Sequence, residues 1–249
     1  MEAVRRAAVA SPLPLDRRRV LSREQARSVY DRAGAKVRDS DSVYGGPAVS
    51  ALLAAARLGA CGSVFEFGCG GGRLADRLLR RGELAPGARY VAVDASPVMA
   101  GLAAQRAQDL PNASVRLLES GDPALMGAGE ADGSFAAVIS TYVLDILPGD
   151  DVASFLSEAW RLLEPGGALC LVNLGEGCTP ATRAGSAVWA AVHAVAPTVV
   201  GGCRAQRLLE YLGPGWEVRH HELVAGGFVA SEVLVATKLP GGGGPGAAA

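Results

Sequence analysis

Along the middle of the chain, short apolar runs alternate with longer stretches in which apolar side chains recur every three or four positions. The first period belongs to strands and the second to helices, and their alternation predicts a parallel sheet flanked by helices. Residues 63–67 form the first run, rich in β-formers and stopped by Gly68; 73–81 then carries Leu74 and Leu78 on one helical face. The second run, 90–93, ends at Asp94, after which Ser96 and Pro97 read as the N-cap and first residue of a helix reaching about Gln108. Residues 115–118 predict a third strand and 135–140 a fourth. Asp150 or Asp151 is expected to cap a helix whose Val152, Phe155, Leu156, Ala159 and Leu163 share a face. Pro165-Gly166-Gly167 is expected to end that helix before a fifth strand at 168–174.

The C-terminal part has a different pattern. Residues 216–224 and 229–237 are two β-type runs separated by a short turn containing Gly226-Gly227, a link that can join only antiparallel strands. The expected fold is therefore α/β and Rossmann-like: a seven-stranded, mostly parallel sheet with a terminal antiparallel hairpin and helices on both faces. A chain of 249 residues with 49% apolar and 20% charged side chains supports one such domain, assigned here to 21–239. Residues 1–20 read as a disordered basic arm and 240–249 as a disordered Gly-rich tail, because neither composition buries apolar surface.

Charge removes some partners. With 24 basic and 25 acidic side chains there is no field of one sign, which counts against nucleic acid or an anionic membrane as the main partner. The longest apolar stretch, 187–200, is shorter than the roughly 20 residues a bilayer span needs and contains His193 and Pro197, so no stable membrane insertion is expected. The N-terminal arginines, Arg5, Arg6 and Arg17 to Arg19, stand beside Glu2 and Asp16 without an apolar core. They fit a cytoplasmic protein, with organelle import as the alternative. The five cysteines are odd in number and form no C-x-x-C pair, which predicts free thiols and no metal site.

The chemistry lies where the first strand meets its helix, at Glu66-Phe67-Gly68-Cys69-Gly70-Gly71-Gly72. Glycines there let backbone amides approach a ligand without Cβ clashes, and Asp94, ending the next strand, can accept both hydroxyls of a ribose. An adenosine-containing ligand follows. The dinucleotide fingerprint needs a small residue where Arg73 stands, and Glu66 would repel a pyrophosphate but suits the cationic end of an amino-acid-bearing ligand. Charge therefore favours S-adenosylmethionine over a nicotinamide dinucleotide.

The segment 64–72, with Asp94, resembles the E/D-x-G-x-G-x-G motif and second-strand acid of class I S-adenosylmethionine-dependent methyltransferases. Gly121-Asp122, the stretch 135–147 and Leu162-Leu163-Glu164-Pro165-Gly166-Gly167 resemble later motifs of that superfamily, and the likeness extends over about 62–238. Within it the chain is most similar to small-molecule enzymes of the type 11/12 group. It lacks the N/D-P-P-Y/F sequence of nucleic-acid amino-methyltransferases, carrying Ser140-Thr141-Tyr142-Val143 instead, and has Ala136 and Asp145 where Asp and His are common. The resemblance implies cofactor contacts from Glu66, Gly68, Cys69, Gly70, Gly72, Asp94, Ala95, Met99, Gly121, Asp122 and Ser140. It implies that 21–60 forms a lid, from which Tyr30 or Tyr44 closes over the sulfonium.

It further implies that 175–213 is an insertion on the acceptor side, and that Tyr142 and Asp145 contact the acceptor. In that insertion the residues alone leave an apolar acceptor pocket and a packed cap helix equally open. Cys178 and Cys203 there read as small apolar fillers or a soft-ligand pair, and Arg204 as a surface charge or a clamp for an acidic substrate. His220 and His221, adjacent on a strand, face opposite ways. Methyl transfer from a sulfonium depends chiefly on alignment, so a general base is needed only for a poorly nucleophilic acceptor. The expected activity is methylation of a small organic acceptor. The alternatives are a catalytically silent methyltransferase-fold binding protein and a nicotinamide-dependent oxidoreductase. Acceptor identity, methylated atom and oligomeric state are left open.

Overall fold

Seven apolar runs pair into one sheet in the computed structural model, which describes residues 20–34 and 37–241, the side chains of 37–45 excepted. The strands are β1 (Ser63–Phe67), β2 (Arg89–Asp94), β3 (Ala113–Leu117), β4 (Phe135–Thr141), β5 (Leu163–Gly175), β6 (Trp216–Gly226) and β7 (Val229–Lys238). Their order is β3-β2-β1-β4-β5-β7-β6. The first five run parallel, and β7 pairs antiparallel with both β5 and β6, as the turn glycines required. The hairpin is tight: Gly226 pairs with Val229, and Gly227 takes φ +62°, where a Cβ would be strained.

Among the described residues six α-helices surround the sheet: α1 (Arg23–Ala33), α2 (Val37–Ala56), α3 (Arg73–Arg80), α4 (Pro97–Ala107), α5 (Gly149–Leu162) and α6 (Pro180–Val195). The period of two along each strand divides the core. Phe65 and Phe67 of β1 point to the α5 side, where Phe67 meets Phe155 at 5.2 Å between ring centroids. Val64 and Tyr90 point to the other side, against Leu52 of α2 and Leu74 and Leu78 of α3. No described helix is long and apolar enough to cross a membrane.

Three local expectations are corrected. The third strand starts at Ala113, earlier than expected, because β3 is a half-exposed edge whose burial alternates weakly. Asp150 and Asp151 do not cap α5; the cap residue is Pro148, and both carboxylates lie in the first turn, where the helix dipole favours them. The same helix stops at Leu162, so Leu163 already pairs with Phe135 in the sheet. Pro165-Gly166-Gly167 is then a bulge inside β5, where pairing resumes at Ala137 and Ala168. Of the expected arm, 1–20, and tail, 240–249, residues 1–19 and 242–249 lie outside the described residues.

α1 buries no residue of its own. Ser22 and Gln25 cap it reciprocally, and polar ties hold it over the carboxyl ends of the strands: Arg23 to Asp151 by two bonds of 2.6 and 2.9 Å, and Asp31 to Ser96.

Candidate cofactor and acceptor site

Parallel strands end on the same edge, so Gly68, Asp94, Thr141 and Gly175 are brought into one row at the point where the strand order reverses between β1 and β4. A cavity of about 1150 Å³ opens along this edge. It exceeds the roughly 300–1,000 Å³ of an ordinary ligand pocket, giving room for two small molecules side by side.

At one end is the glycine loop. Gly68 and Cys69 donate their amides to Val93 O, at 2.8 and 3.0 Å, which locks the loop to β2. Gly68, at φ +73°, has no space for a side chain: a Cβ would stand 2.2 Å from Val143 Cγ2. Gly70, at φ +51°, has nothing within 4 Å of that position, so the space beside its Cα is open to a ligand. Its amide donates to Asp94 Oδ2 at 2.8 Å, while Ser96 N donates to Oδ1 at 2.8 Å. Burial nonetheless pushes the Asp94 carboxyl above its usual range. Glu66 is only 2% exposed and accepts the Tyr90 hydroxyl at 2.8 Å. Burial pushes its carboxyl up to about 8, against the lowering effect of that hydrogen bond. The buried Cys69 thiol is likewise pushed up and stays neutral.

Neither Glu66 nor Asp94 has an ion-pair partner among the described residues. A buried and a part-buried carboxyl group on one cavity wall are costly to ionise unless a ligand brings a cation and hydroxyls to them. Together with the open space beside Gly70, they fit an adenosyl ligand with an amino-acid tail: Glu66 for the ammonium and Asp94 for the ribose.

At the other end the wall is largely apolar, formed by Tyr30 of α1, Val143, Leu147 and Leu174, with Trp189 of α6 and Val199 beyond it. Trp189 Nε1 donates to Cys203 O at 2.8 Å, which fixes the ring edge. Tyr142 also lines this end. It has φ +56°, rare for a residue with a side chain, and is held there by its amide on Val172 O and its hydroxyl 2.7 Å from Ser231 Oγ.

Most expected site residues meet at this cavity: Glu66, Gly68, Cys69, Gly70, Asp94, Ala95, Met99, Gly121, Tyr142 and Asp145 all line it. Three stand away from its wall. Gly72 packs α3 onto α4, where a Cβ would be 2.9 Å from Ala103 Cα. Asp122 turns into its own loop, accepting from Ala124 N at 3.0 Å and pairing with Arg23 at 3.2 Å. Ser140 is wholly buried and donates to Phe67 O. Tyr44 falls within α2, and its side chain lies outside the described residues.

Asp145 is fully buried and accepts from Leu174 N at 3.2 Å. Arg204, 4% exposed, is neither a solvated charge nor a free clamp: its guanidinium donates to the carbonyls of Asp145 and Leu147, tying the insertion to the loop after β4. Cys203 lines the cavity beside Tyr30, whereas Cys178 does not and sits against Thr182. His221 reaches Glu232 at 2.7 Å and His220 reaches Glu222 at 3.0 Å, both away from the cavity. Tyr90 and Leu174 were not anticipated, whereas Tyr30 of α1 falls within the expected lid segment. Strand alternation could have put Tyr90 on the Glu66 face, but only with the β1–β2 register in hand.

Residues 64–167 match the family model of a methyltransferase domain. No curated protein matches the chain in sequence. Among solved structures, the [4+2]-cyclase SpnF is similar at TM-score 0.62 and 16% identity, over 89% of this chain and 98% of that one. An S-adenosylmethionine-dependent methyltransferase from Anabaena variabilis is similar at TM-score 0.62 and 15% identity, over 92% and 100%. The N-methyltransferase NodS from Bradyrhizobium japonicum, solved with S-adenosylhomocysteine, is similar at TM-score 0.54 and 17% identity, over 76% and 84%. At these identities the likeness is one of fold.

Proposed function

We propose that the chain is a class I S-adenosylmethionine-dependent methyltransferase, with S-adenosylmethionine as cofactor, that methylates a small, largely apolar organic acceptor; the methyltransferase-domain match over 64–167 and the sheet order support this reading. The observation that carries this reading is the division of one cavity into a glycine-loop end, with the buried Glu66 and the part-buried Asp94, and an apolar, aromatic end beside it. Glu66 takes the ammonium, Asp94 the ribose hydroxyls, and Gly68 and Gly70 allow close approach, with Cys69, Ala95, Met99 and Gly121 closing the walls. When bound, S-adenosylmethionine supplies a methyl already activated by its sulfonium.

The protein's own contribution is alignment and exclusion of water. Tyr30 and Tyr142 present ring surface at the junction of the two ends, and Trp189, Leu174 and Val199 select an apolar body. Asp145 holds the wall through Leu174 rather than meeting the acceptor directly, so no residue is assigned as a general base. Within 21–60 it is α1 that acts as the lid, α2 being packed on the sheet, and 175–213 set acceptor preference.

The test incubates the protein with methyl-labelled S-adenosylmethionine and a panel of apolar alcohols, phenols, amines and thiols, following S-adenosylhomocysteine release and label in the acceptor. Transfer to at least one, with the preference altered in Trp189→Ala and cofactor affinity kept, is expected. A second reading, binding without methyl transfer, draws on SpnF, which has this fold and is named for a cyclisation. Cofactor binding with no transfer across the panel would favour it.

A further inference from the structure

Val64 pairs with Tyr90 and Glu66 with Ala92, so Tyr90 stands one side-chain repeat behind Glu66 on the same face of the sheet. Its phenol extends forward to that carboxylate and donates to Oε2 at 2.8 Å; Tyr90 is fully buried and Glu66 2% exposed. The other charged or titratable groups acting on Glu66 are Asp94, from the end of β2, and the neutral Cys69 thiol of the glycine loop. Leu74 and Leu78 of α3 and Leu52 of α2, packed on this face, are apolar. Among the described residues nothing donates to Oε1, and Glu66 lines the cavity. One carboxylate oxygen is therefore held from behind while the other is left for whatever enters.

We propose that Tyr90 is a positioning residue for cofactor recognition: it fixes the Glu66 carboxylate toward the ligand's ammonium and thereby sets the preference for adenosyl ligands that carry an amino-acid tail. The proposal rests on the assignment of Glu66 to the ammonium. A hydrogen bond to a charged group contributes more than one between neutral groups, and here the acceptor's charge is complete only when a cation is beside it. The bond accordingly strengthens as the tail binds and is indifferent to the adenosine. It also favours the ionised carboxylate, so its loss shifts tail recognition to higher pH.

The experiment is calorimetric titration of the full chain, its Tyr90→Phe variant and its Glu66→Gln variant with S-adenosylhomocysteine and with 5′-methylthioadenosine, which keeps the adenosine and lacks the tail. Tyr90→Phe is expected to weaken S-adenosylhomocysteine on the order of tenfold and to move the rise of its affinity with pH upward. Affinity for 5′-methylthioadenosine, which also reports a folded site, stays near wild type. Equal weakening of both ligands, or of neither, overturns the proposal. If Glu66→Gln discriminates against the tail and Tyr90→Phe does not, only the role of Tyr90 falls. If Glu66→Gln leaves the ratio of the two ligands unchanged, the assignment of Glu66 falls and the proposal with it.

Discussion

Replacing Glu66 with Gln should stabilise the ligand-free protein, and more so as the pH rises. Gln keeps the shape and an oxygen for the Tyr90 hydroxyl while removing the charge. The folded protein holds this carboxyl at about 8, against an ordinary value of 4.5. Between those values the folded state binds more protons than the unfolded one, so wild-type stability falls with rising pH. The cost is absent below the unfolded value, grows through the window and is complete above the folded one. At about 1.4 kcal/mol per pH unit the full cost is about 5 kcal/mol, of which about 4 develops between about pH 5 and about pH 8.5.

Groups shared by both proteins cancel in the comparison, apart from Asp94, whose coupling to Glu66 acts in the same direction. For a domain of this size the divergence corresponds to a Tm difference on the order of 10 °C. Thermal and urea denaturation of both proteins across this range, without ligand, reads it directly. The reasoning is refuted by a gap that does not change with pH. A wild type that gains on the variant as pH rises also refutes it, because that is the behaviour of a Glu66 already ionised and paired in the fold.

Gly72→Ala should cost about 2–4 kcal/mol in urea denaturation, from the positive φ and the close approach to Ala103 Cα, with cofactor affinity near wild type because Gly72 does not line the cavity. A cost below about 1 kcal/mol would mean that the loop yields easily. Asp151→Asn should loosen α1 with little global effect, since Arg23 is half-exposed and α1 buries nothing. Hydrogen exchange over 23–33 should accelerate, and unchanged protection there would show that other contacts hold the helix.

What was legible in the chain followed from backbone demands. Gly68 and Gly70 declare a loop that a ligand or β2 approaches closely, Asp94 ends an apolar run where the sheet exposes its carboxyl edge, and Gly226-Gly227 permits only an antiparallel return. The illegible parts depend on where a side chain's own hydrogen bonds go. Asp122 was expected at the adenine but is consumed by its own turn and by Arg23, a residue almost a hundred positions earlier. Arg204 was expected as a surface charge or a clamp and Asp145 at the acceptor; packing of the insertion against the loop after β4 buries both. Tyr90 reads as a core aromatic until the register of β1 on β2 brings its hydroxyl to Glu66. The edge position of β3 likewise removed the burial contrast that would have marked its start.

The central claim is that Asp94 and the glycine loop form an adenosyl-cofactor site. Calorimetric titration of wild type and Asp94→Ala with S-adenosylmethionine, S-adenosylhomocysteine and NAD tests it most directly. The account predicts binding of both adenosyl ligands by wild type, its loss in Asp94→Ala and no response to NAD. Unchanged affinity in Asp94→Ala, or NAD bound as tightly as S-adenosylhomocysteine, would contradict it.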